Sequence, residues 1–219
     1  MVILSLPKNG TAYQNKFMTL TKTQIKALIK SENLSISPLL EEDQIGDLTI
    51  DFRIGTDFLV TINGSNPFID ASLNNNDKFP IKNSFQETRR KLGETFLLHP
   101  NQTVLVSSLE YIKLPSNTYA ELTLRSSYLR LGLTISAIVQ PGYCGCISME
   151  LTNINKVPIN LTVGAAIIQA RLFEISESIN YFEKKRKYMC QVRPVMSAVA
   201  ADSDLKRLQS IWKQNNYVT

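Results

Sequence analysis

The chain has 219 residues, of which 43% are hydrophobic, and it carries a formal net charge of +5. This is enough for one domain with a full core, whereas no apolar run approaches the roughly 20 residues that a membrane span needs. Residues 1–7 are too short for the apolar part of a secretory signal, and three cysteines leave one unpaired under any pairing. We therefore expect a cytoplasmic protein with free thiols and no membrane partner.

The first predicted element is an amphipathic helix from Lys22 to Lys30. Ile25, Leu28 and Ile29 recur at helical spacing, so they form one apolar face. Thr21 precedes the helix and is a suitable cap.

Short runs of apolar and β-branched residues predict strands in the middle of the chain. The runs are 48–54, 58–62, 103–108, 120–124, 134–139, 147–152, 159–162 and 166–173. Proline and glycine separate them, as is typical of an all-β barrel or jelly roll with tight turns. Residues 63–83 lack periodicity and include three consecutive asparagines, which indicates a surface loop.

A change of pattern at Arg125 marks the first candidate site. The strand alternation of residues 121–124 stops there, and Ser126 and Ser127 begin a turn or short helix. Free backbone N–H groups, two hydroxyls and a guanidinium together suit a polyphosphate, and Arg130 lies on the same face if the segment is helical. The alternative is that the two serines only cap a helix.

A second candidate site is the strand that follows the turn Gln140-Pro141-Gly142-Tyr143. Alternation places Ile147, Met149 and Leu151 on one face, so the single carboxylate, Glu150, points away from the apolar layer. The alternative is that Glu150 lies on an ordinary solvent-exposed face.

The densest basic cluster is Lys184-Lys185-Arg186-Lys187. Such a run indicates a solvated face, a nucleic-acid patch or a site for a small, highly charged ligand. Neither aromatic stacking motifs nor a recognisable DNA-reading helix accompanies it, and a nucleoside triphosphate explains the cluster equally well.

Residues 202–213 predict a C-terminal helix. Leu205, Leu208 and Trp212 recur at helical spacing. We expect this apolar face to pack in the core or against another subunit.

The two candidate sites together resemble the dCTP deaminase branch of the dUTPase-like superfamily. The family has an Arg-Ser-Ser-x-x-Arg-Leu-Gly block, matched here from Arg125 to Gly132. It also has a Pro-Gly-aromatic-x-Gly turn that leads to a Leu-Glu pair, matched here at Pro141 and at Met149-Glu150.

The resemblance extends over most of the chain. Residues 44–55 look like the deaminases' first long strand, and 96–100 and 109–115 match the strands that follow. Residues 187–197 look like the family's C-terminal lid, which closes over bound nucleotide. We therefore expect an extension at 1–17, a deaminase-like β domain with its lid at 18–197, and a helical tail at 198–219. Only the family resemblance favours the small ligand at the basic cluster, and on that basis we expect no nucleic-acid partner.

The resemblance implies a fold, an assembly and a reaction. The fold is mostly β, a distorted jelly roll or β-barrel of the dUTPase-like type with a few short helices, assembled as a homotrimer. The reaction is the hydrolytic deamination of dCTP to dUTP and ammonia, in which Glu150 is the general acid and base while Ser126 and Arg130 hold the water. The implied substrate-binding residues are Arg125, Ser126, Ser127, Arg130, Gln140, Tyr143, Ser148, Met149, Tyr181, Lys187 and Gln191.

The sequence lacks the zinc motif of most nucleobase deaminases, which hold zinc with His-x-Glu and Pro-Cys-x-x-Cys. The one histidine, His99, is followed by proline, and Cys144-Gly-Cys146 has the wrong spacing for a structural zinc pair. We therefore expect no protein-bound zinc. The resemblance implies Mg²⁺ that is held mainly by the substrate triphosphate.

Three departures from the family pattern leave alternatives open. Gln140 stands where the family has an aspartate that takes the sugar 3′-hydroxyl, the link between Gly132 and Gln140 is shorter and lacks a Thr-Ala element, and the lid has Met189 and Cys190 in place of small residues. One alternative is a dUTPase, or a bifunctional enzyme that continues to dUMP. Another is a non-catalytic nucleotide-binding protein on the same fold.

Overall fold

The computed structural model describes residues 18–62, 68–71, 81–135 and 137–216. Within these ranges the strands are β1 (Met18–Thr19), β2 (Ser35–Ser37), β3 (Ile50–Thr61), β4 (Phe85–Arg89), β5 (Thr95–Leu98), β6 (Thr103–Lys113), β7 (Thr118–Leu124), β8 (Leu133–Thr134), β9 (Ala137–Val139), β10 (Cys144–Asn153), β11 (Ile159–Thr162) and β12 (Ala166–Glu174). The helices there are α1 (Lys22–Lys30), α2 (Ser126–Leu129) and α3 (Ser203–Asn216), with 3₁₀ turns at Glu42–Gln44, Ile81–Ser84 and Val199–Ala201. The mostly β fold with few helices is confirmed.

One large, mainly antiparallel sheet organises the described part of the chain. Its central order is β8-β10-β6-β3-β12-β7-β9, with β1, β2 and β4 attached to its sides, while β5 and β11 pair separately. The alternating strand residues of this sheet bury one apolar layer, in which Phe58 and Phe96 stack with ring centroids 4.2 Å apart. Among the described residues no helix is long and apolar enough to cross a membrane.

Helix α1 has the predicted bounds, and its first turn is capped as expected. The Thr21 backbone N–H donates to Gln24 Oε1 at 2.9 Å, and Ile25 is fully buried. The capping residue and the apolar face therefore fix both the start of the helix and its side against the sheet.

Two strand predictions differ from the structure because bends and bulges interrupt simple alternation. The runs at 48–54 and 58–62 are one strand, β3, whose pairing with β6 shifts register between Ile54 and Phe58. Gly55 makes the shift possible, since a Cβ there would lie 2.8 Å from the Ser107 carbonyl oxygen. The predicted strand at 134–139 is instead two short strands, β8 and β9, on opposite sides of the sheet order.

The terminal and loop predictions have mixed outcomes. Residues 1–17, and residues 63–67 and 72–80 of the predicted loop, lie outside the described residues, whereas residues 81–84 of the loop form a 3₁₀ turn. The C-terminal helix is confirmed as α3. Its Trp212 is 66% exposed, which excludes packing in the core of its own chain, so that packing against another subunit stays a prediction.

Candidate functional site

A cavity of about 680 Å³ lies between β9, β10 and the segment that follows β12. It collects side chains from distant parts of the chain, from Phe85 to Ser197. The sequence-predicted residues that line it are Gln140, Tyr143, Ser148, Glu150, Tyr181, Lys187 and Gln191.

Strand β10 forms one wall of the cavity, and a bulge sets the direction of its side chains. The pairing of β10 with β6 shifts register between Cys146 and Ser148. At the bulge the Ile147 N–H donates to Ser108 Oγ at 2.8 Å, and Ser108 Oγ donates to the Glu110 carbonyl oxygen at 2.6 Å. The bulge removes the Ile147 N–H from the hydrogen bonds between the strands, and the buried Ser108 hydroxyl accepts its hydrogen bond instead.

Glu150 is the exposed residue of an otherwise buried stretch. Its neighbours Met149 and Leu151 are 1% and 0% exposed, so the predicted alternation is confirmed. No hydrogen bond or ion pair joins its carboxylate to another residue in the part of the chain that the structure describes. The carboxylate is therefore available to a molecule in the cavity, as a proton acceptor or a hydrogen-bond acceptor.

Gln191 fastens the lid segment, residues 187–197, to β10. Ser148 Oγ donates to Gln191 Oε1 at 2.8 Å, and the Cys146 N–H donates to the Gln191 carbonyl oxygen at 2.6 Å. Gly145 lies beneath this contact with φ of 144°, and a Cβ there would lie 2.7 Å from the Gln191 carbonyl oxygen. The lid can come this close because the residue below it is glycine.

Two tyrosines form the floor of the cavity near the turn. Tyr143 donates to the Cys146 carbonyl oxygen at 2.6 Å, and its ring meets Tyr181 edge to face with centroids 5.8 Å apart. Tyr181 donates to the Tyr188 carbonyl oxygen at 3.2 Å. Burial raises the pKa of both hydroxyls, so they remain protonated donors at neutral pH.

Positive charge lies on the lid side of the cavity. The Arg186 guanidinium stands 4.7 Å from the Tyr181 ring centroid, and Arg186 Nε donates to the Tyr181 carbonyl oxygen at 3.2 Å. Lys187 pairs with Asp202 at a partly exposed position, where an ion pair contributes little and an anionic ligand can compete for the lysine.

The Arg125–Arg130 turn does not line the cavity of its own chain. Arg125 is held by Asp51, with Nε 3.3 Å from Oδ2, while Ser126, Ser127 and Arg130 are exposed on or next to α2. In the described residues the Arg130 side chain has no hydrogen bond or ion pair. The structure therefore separates the predicted water-holding residues from Glu150 within one chain.

Met149 is also placed apart from the cavity, because its side chain packs in the core. The structure adds lining residues that sequence reasoning missed, among them Phe85, Leu105, Ile138, Arg186 and Tyr188. Phe85 and Leu105 lie on β4 and β6, and only the sheet pairing brings these strands to the site. Sequence signals were available for Arg186, which belongs to the basic cluster, and for Tyr188, which belongs to the predicted lid.

No group of three or more histidine, cysteine, aspartate or glutamate side chains able to hold a metal ion is found among the described residues. The polar side chains that line the cavity are instead glutamine, tyrosine, serine, arginine and lysine, with the single carboxylate of Glu150. This donor set suits an organic anion with hydrogen-bonding groups.

Comparisons with known proteins agree with the geometry. A family model described as dCTP deaminase-like matches residues 19–175. A dUMP-forming dCTP deaminase of Methanobrevibacter smithii is 33% identical over 196 residues, which cover 86% of this chain and 98% of that protein. A dCTP deaminase of Haemophilus influenzae is 32% identical over 196 residues, which cover 85% of this chain and 100% of that protein.

A solved structure supports the fold. The 2′-deoxycytidine 5′-triphosphate deaminase of Agrobacterium tumefaciens superposes with a TM-score of 0.54 at 20% identity. The match covers 72% of this chain and 48% of that one, so it spans about half the length of the solved chain.

Proposed function

The chain belongs to the dCTP deaminase-like family, and on that premise we propose that it hydrolyses the 4-amino group of dCTP. The observation that carries the proposal is Glu150, a carboxylate without a protein partner among the described residues, in a cavity whose other polar groups are neutral or cationic. Two relatives at 33% and 32% identity are named as dCTP deaminases, and this supports the substrate.

In the proposed reaction, water adds to C4 of the cytosine ring. Glu150 takes a proton from the water and delivers it to N3, and it then transfers the hydroxyl proton to the amino group. The C4–N bond breaks and ammonia leaves, so dCTP and water give dUTP and ammonia. The carboxylate ends the cycle in its starting state.

The lid supplies contacts to the nucleotide in this proposal. Gln191 already accepts a hydrogen bond from Ser148, so its amide is positioned beside the wall that carries Glu150. Arg186 and Lys187 provide positive charge for the triphosphate, and Tyr143 and Tyr181 provide protonated hydroxyls. Mg²⁺ would accompany the triphosphate, neutralise part of its charge and need few ligands from the chain.

We propose that Ser126 and Arg130 reach the cavity from a neighbouring subunit of a homotrimer. Their exposure, and their separation from the cavity of their own chain, support this arrangement. Apolar side chains beside α2 are exposed as well, since Leu131 is 47% and Ile154 63% exposed. The Ile154 N–H donates to the Gly132 carbonyl oxygen at 2.8 Å, so these residues form one continuous surface that a second subunit can cover.

A second candidate is a bifunctional enzyme that continues to dUMP and diphosphate. The name of the Methanobrevibacter smithii relative favours it. Gln140 argues against it, because a neutral amide cannot take a proton from the water that would attack the phosphate. The third candidate is a non-catalytic nucleotide-binding protein, which Gln140 in place of the expected aspartate also suggests.

Product analysis separates these candidates. The purified protein is incubated with dCTP, or with dUTP, in the presence of Mg²⁺, and nucleotides are separated by ion exchange while ammonia and diphosphate are assayed. We expect dUTP and ammonia from dCTP and no change in dUTP. Formation of dUMP and diphosphate would favour the bifunctional enzyme, and dCTP binding without any product would favour the non-catalytic protein.

A further inference from the structure

Two cysteine thiols meet where the lid segment crosses β10. Cys144 lies at the start of β10 and Cys190 in the lid, and their sulfur atoms are 3.1 Å apart although the residues are 46 positions apart in the chain. Both are free thiols, and Cys190 is exposed. Neither lines the cavity, so the proposed catalytic chemistry does not use them.

The two sulfur atoms lie close to the separation that a disulfide bond needs. A disulfide needs an S–S distance of about 2.0 Å, so the two sulfur atoms must approach by about 1 Å. The backbone beside them is already joined, because the Cys146 N–H donates to the Gln191 carbonyl oxygen. Closing the bond therefore needs side-chain adjustment rather than movement of the lid.

The surroundings of Cys144 place hydrogen-bonding groups beside its sulfur atom. A hydrogen bond with Cys144 raises the pKa of the Tyr111 hydroxyl to about 12, and a hydrogen bond with Cys144 also raises the pKa of the Cys190 thiol. The Cys144 sulfur thus faces two groups that keep their protons. Cys146 is buried, which leaves it poorly accessible to an oxidant.

We propose that Cys144 and Cys190 are a site of reversible covalent modification, in which a disulfide ties the lid segment to β10. Noncovalent contacts now hold the lid there, chiefly the hydrogen bonds that Gln191 accepts from Ser148 and Cys146. Segments held by few contacts open locally, whereas a covalent link prevents that opening. The effect on turnover rests on the proposed function, since nucleotide must enter and leave beneath this lid.

The reaction needs a disulfide oxidant, for which oxidised glutathione is a suitable member of the class. The exposed Cys190 thiol first loses its proton, and the thiolate then attacks one glutathione sulfur, so that one reduced glutathione leaves. Cys144 then attacks the Cys190 sulfur of this mixed disulfide, and the second reduced glutathione leaves. The protein loses two electrons and two protons, and one oxidised glutathione becomes two reduced ones.

The test uses the full chain and three single substitutions, Cys144→Ser, Cys190→Ser and Cys146→Ser. Each protein is equilibrated with oxidised glutathione and then with a reducing dithiol. Free thiols are counted in denaturant, and unreduced peptides are mapped by mass spectrometry. Cleavage by trypsin within residues 184–193 reports lid opening, and ammonia release from dCTP reports turnover.

We expect the parent and Cys146→Ser to lose two thiols, to form the Cys144–Cys190 peptide link, and to lose both trypsin sensitivity in the lid and turnover until reduced. Cys144→Ser and Cys190→Ser should form no internal disulfide, and their lid should stay sensitive to trypsin under the same oxidising conditions. If the parent protein keeps all three thiols, or forms a disulfide between other cysteines, the assignment of Cys144 and Cys190 as the modification site is wrong.

If the parent protein forms the Cys144–Cys190 disulfide but is still cut in the lid and turns over dCTP as the reduced protein does, the disulfide does not control the lid. If the reduced parent releases no ammonia, the proposed deamination fails, and the thiol count and proteolysis still decide this proposal.

Discussion

At the scale of single residues, the position of Glu150 follows from alternation along one strand. Met149 and Leu151 are buried beside it, and this pattern is visible in the sequence. Periodicity does not predict that Glu150 and Gln191 line the same cavity. The lid has no regular secondary structure between Glu174 and Val199, so only the resemblance pointed to its contact with β10.

Replacing Glu150 by glutamine keeps the shape of the side chain and removes its ability to transfer protons. We expect Glu150→Gln to lower kcat by about 10²- to 10⁴-fold while dCTP binding stays near that of the parent. Steady-state assay and calorimetry with dCTP measure the two effects. A variant within a few-fold of the parent in kcat would remove Glu150 from the mechanism.

Gln140 offers a second test at the same scale, because it lines the cavity and the resemblance matches it to a family aspartate. A carboxylate accepts a stronger, charge-assisted hydrogen bond from a sugar hydroxyl than an amide does. Gln140→Asp should therefore tighten dCTP binding by calorimetry, whereas 3′-deoxy-dCTP should gain nothing. Equal changes for both nucleotides would place Gln140 away from the 3′-hydroxyl.

At the scale of elements, the predictions succeeded where local signals set the bounds and failed where pairing partners set the geometry. Helix α1 and strand β11 have the predicted bounds, since cap and alternation are local signals. Strands β2 and β4 were missed because they are short edge pieces defined by their contacts with β6 and β3. The division of the predicted strand at 134–139 likewise depends on two different partners, β10 and β7.

The close packing of the lid on β10 gives a prediction about Gly145. Gly145→Ala places a Cβ against the Gln191 backbone and should displace the lid, raising KM for dCTP on the order of tenfold to a hundredfold. Gly93→Ala is the matched control, because Gly93 also has positive φ but has open space around the position of a Cβ. Steady-state kinetics of both variants should separate lid displacement from backbone strain.

A buried ion pair joins β3 to β6 and gives a prediction about stability. Arg53 Nη1 lies 3.1 Å from Glu110 Oε1, and Glu110 is completely buried. Arg53→Met leaves that carboxylate without its cation, and we expect a loss of about 3–5 kcal/mol at neutral pH. Arg89→Met is the control, because the Arg89 side chain is 66% exposed and its pair with Asp57 should contribute little.

The loss in Arg53→Met should depend on pH. Burial raises the pKa of Glu110 above its ordinary value, so the folded state favours the protonated carboxyl, and the cost appears as pH rises through the folded-state pKa. Removing Arg53 raises that pKa further. Guanidinium unfolding should therefore give a smaller difference from the parent at about pH 5 than at about pH 7.5, and a difference that grows on acidification would contradict this account.

At the scale of the whole molecule, the separation of Arg130 from Glu150 within one chain leads to a prediction about assembly. We expect a closed trimer of three times 24.7 kDa, because rotation about one axis gives three equivalent shared sites. Light scattering measures the mass, and a monomer at assay concentration would contradict the prediction.

Subunit exchange tests whether the sites are shared. Glu150→Gln and Arg130→Ala should each be inactive alone, and mixing them should restore part of the activity because some sites then receive both native residues. Arg130 suits this test better than Arg125, which also binds Asp51 in its own chain. If the protein is a trimer but the mixture stays inactive, Glu150 and Arg130 of each site come from the same subunit.

The place of the lid in the chain also has a consequence for biosynthesis. Strand β12 lies between β3 and β7, so the large sheet is incomplete until the ribosome has added Glu174. The residues that close the cavity, from Tyr181 to Ser197, are added later still. Because chains fold from the N-terminus as they emerge, the sheet can form before the lid. A nascent or prematurely terminated chain would then carry Glu150 on an open wall, without the lid side chains that we propose bind nucleotide.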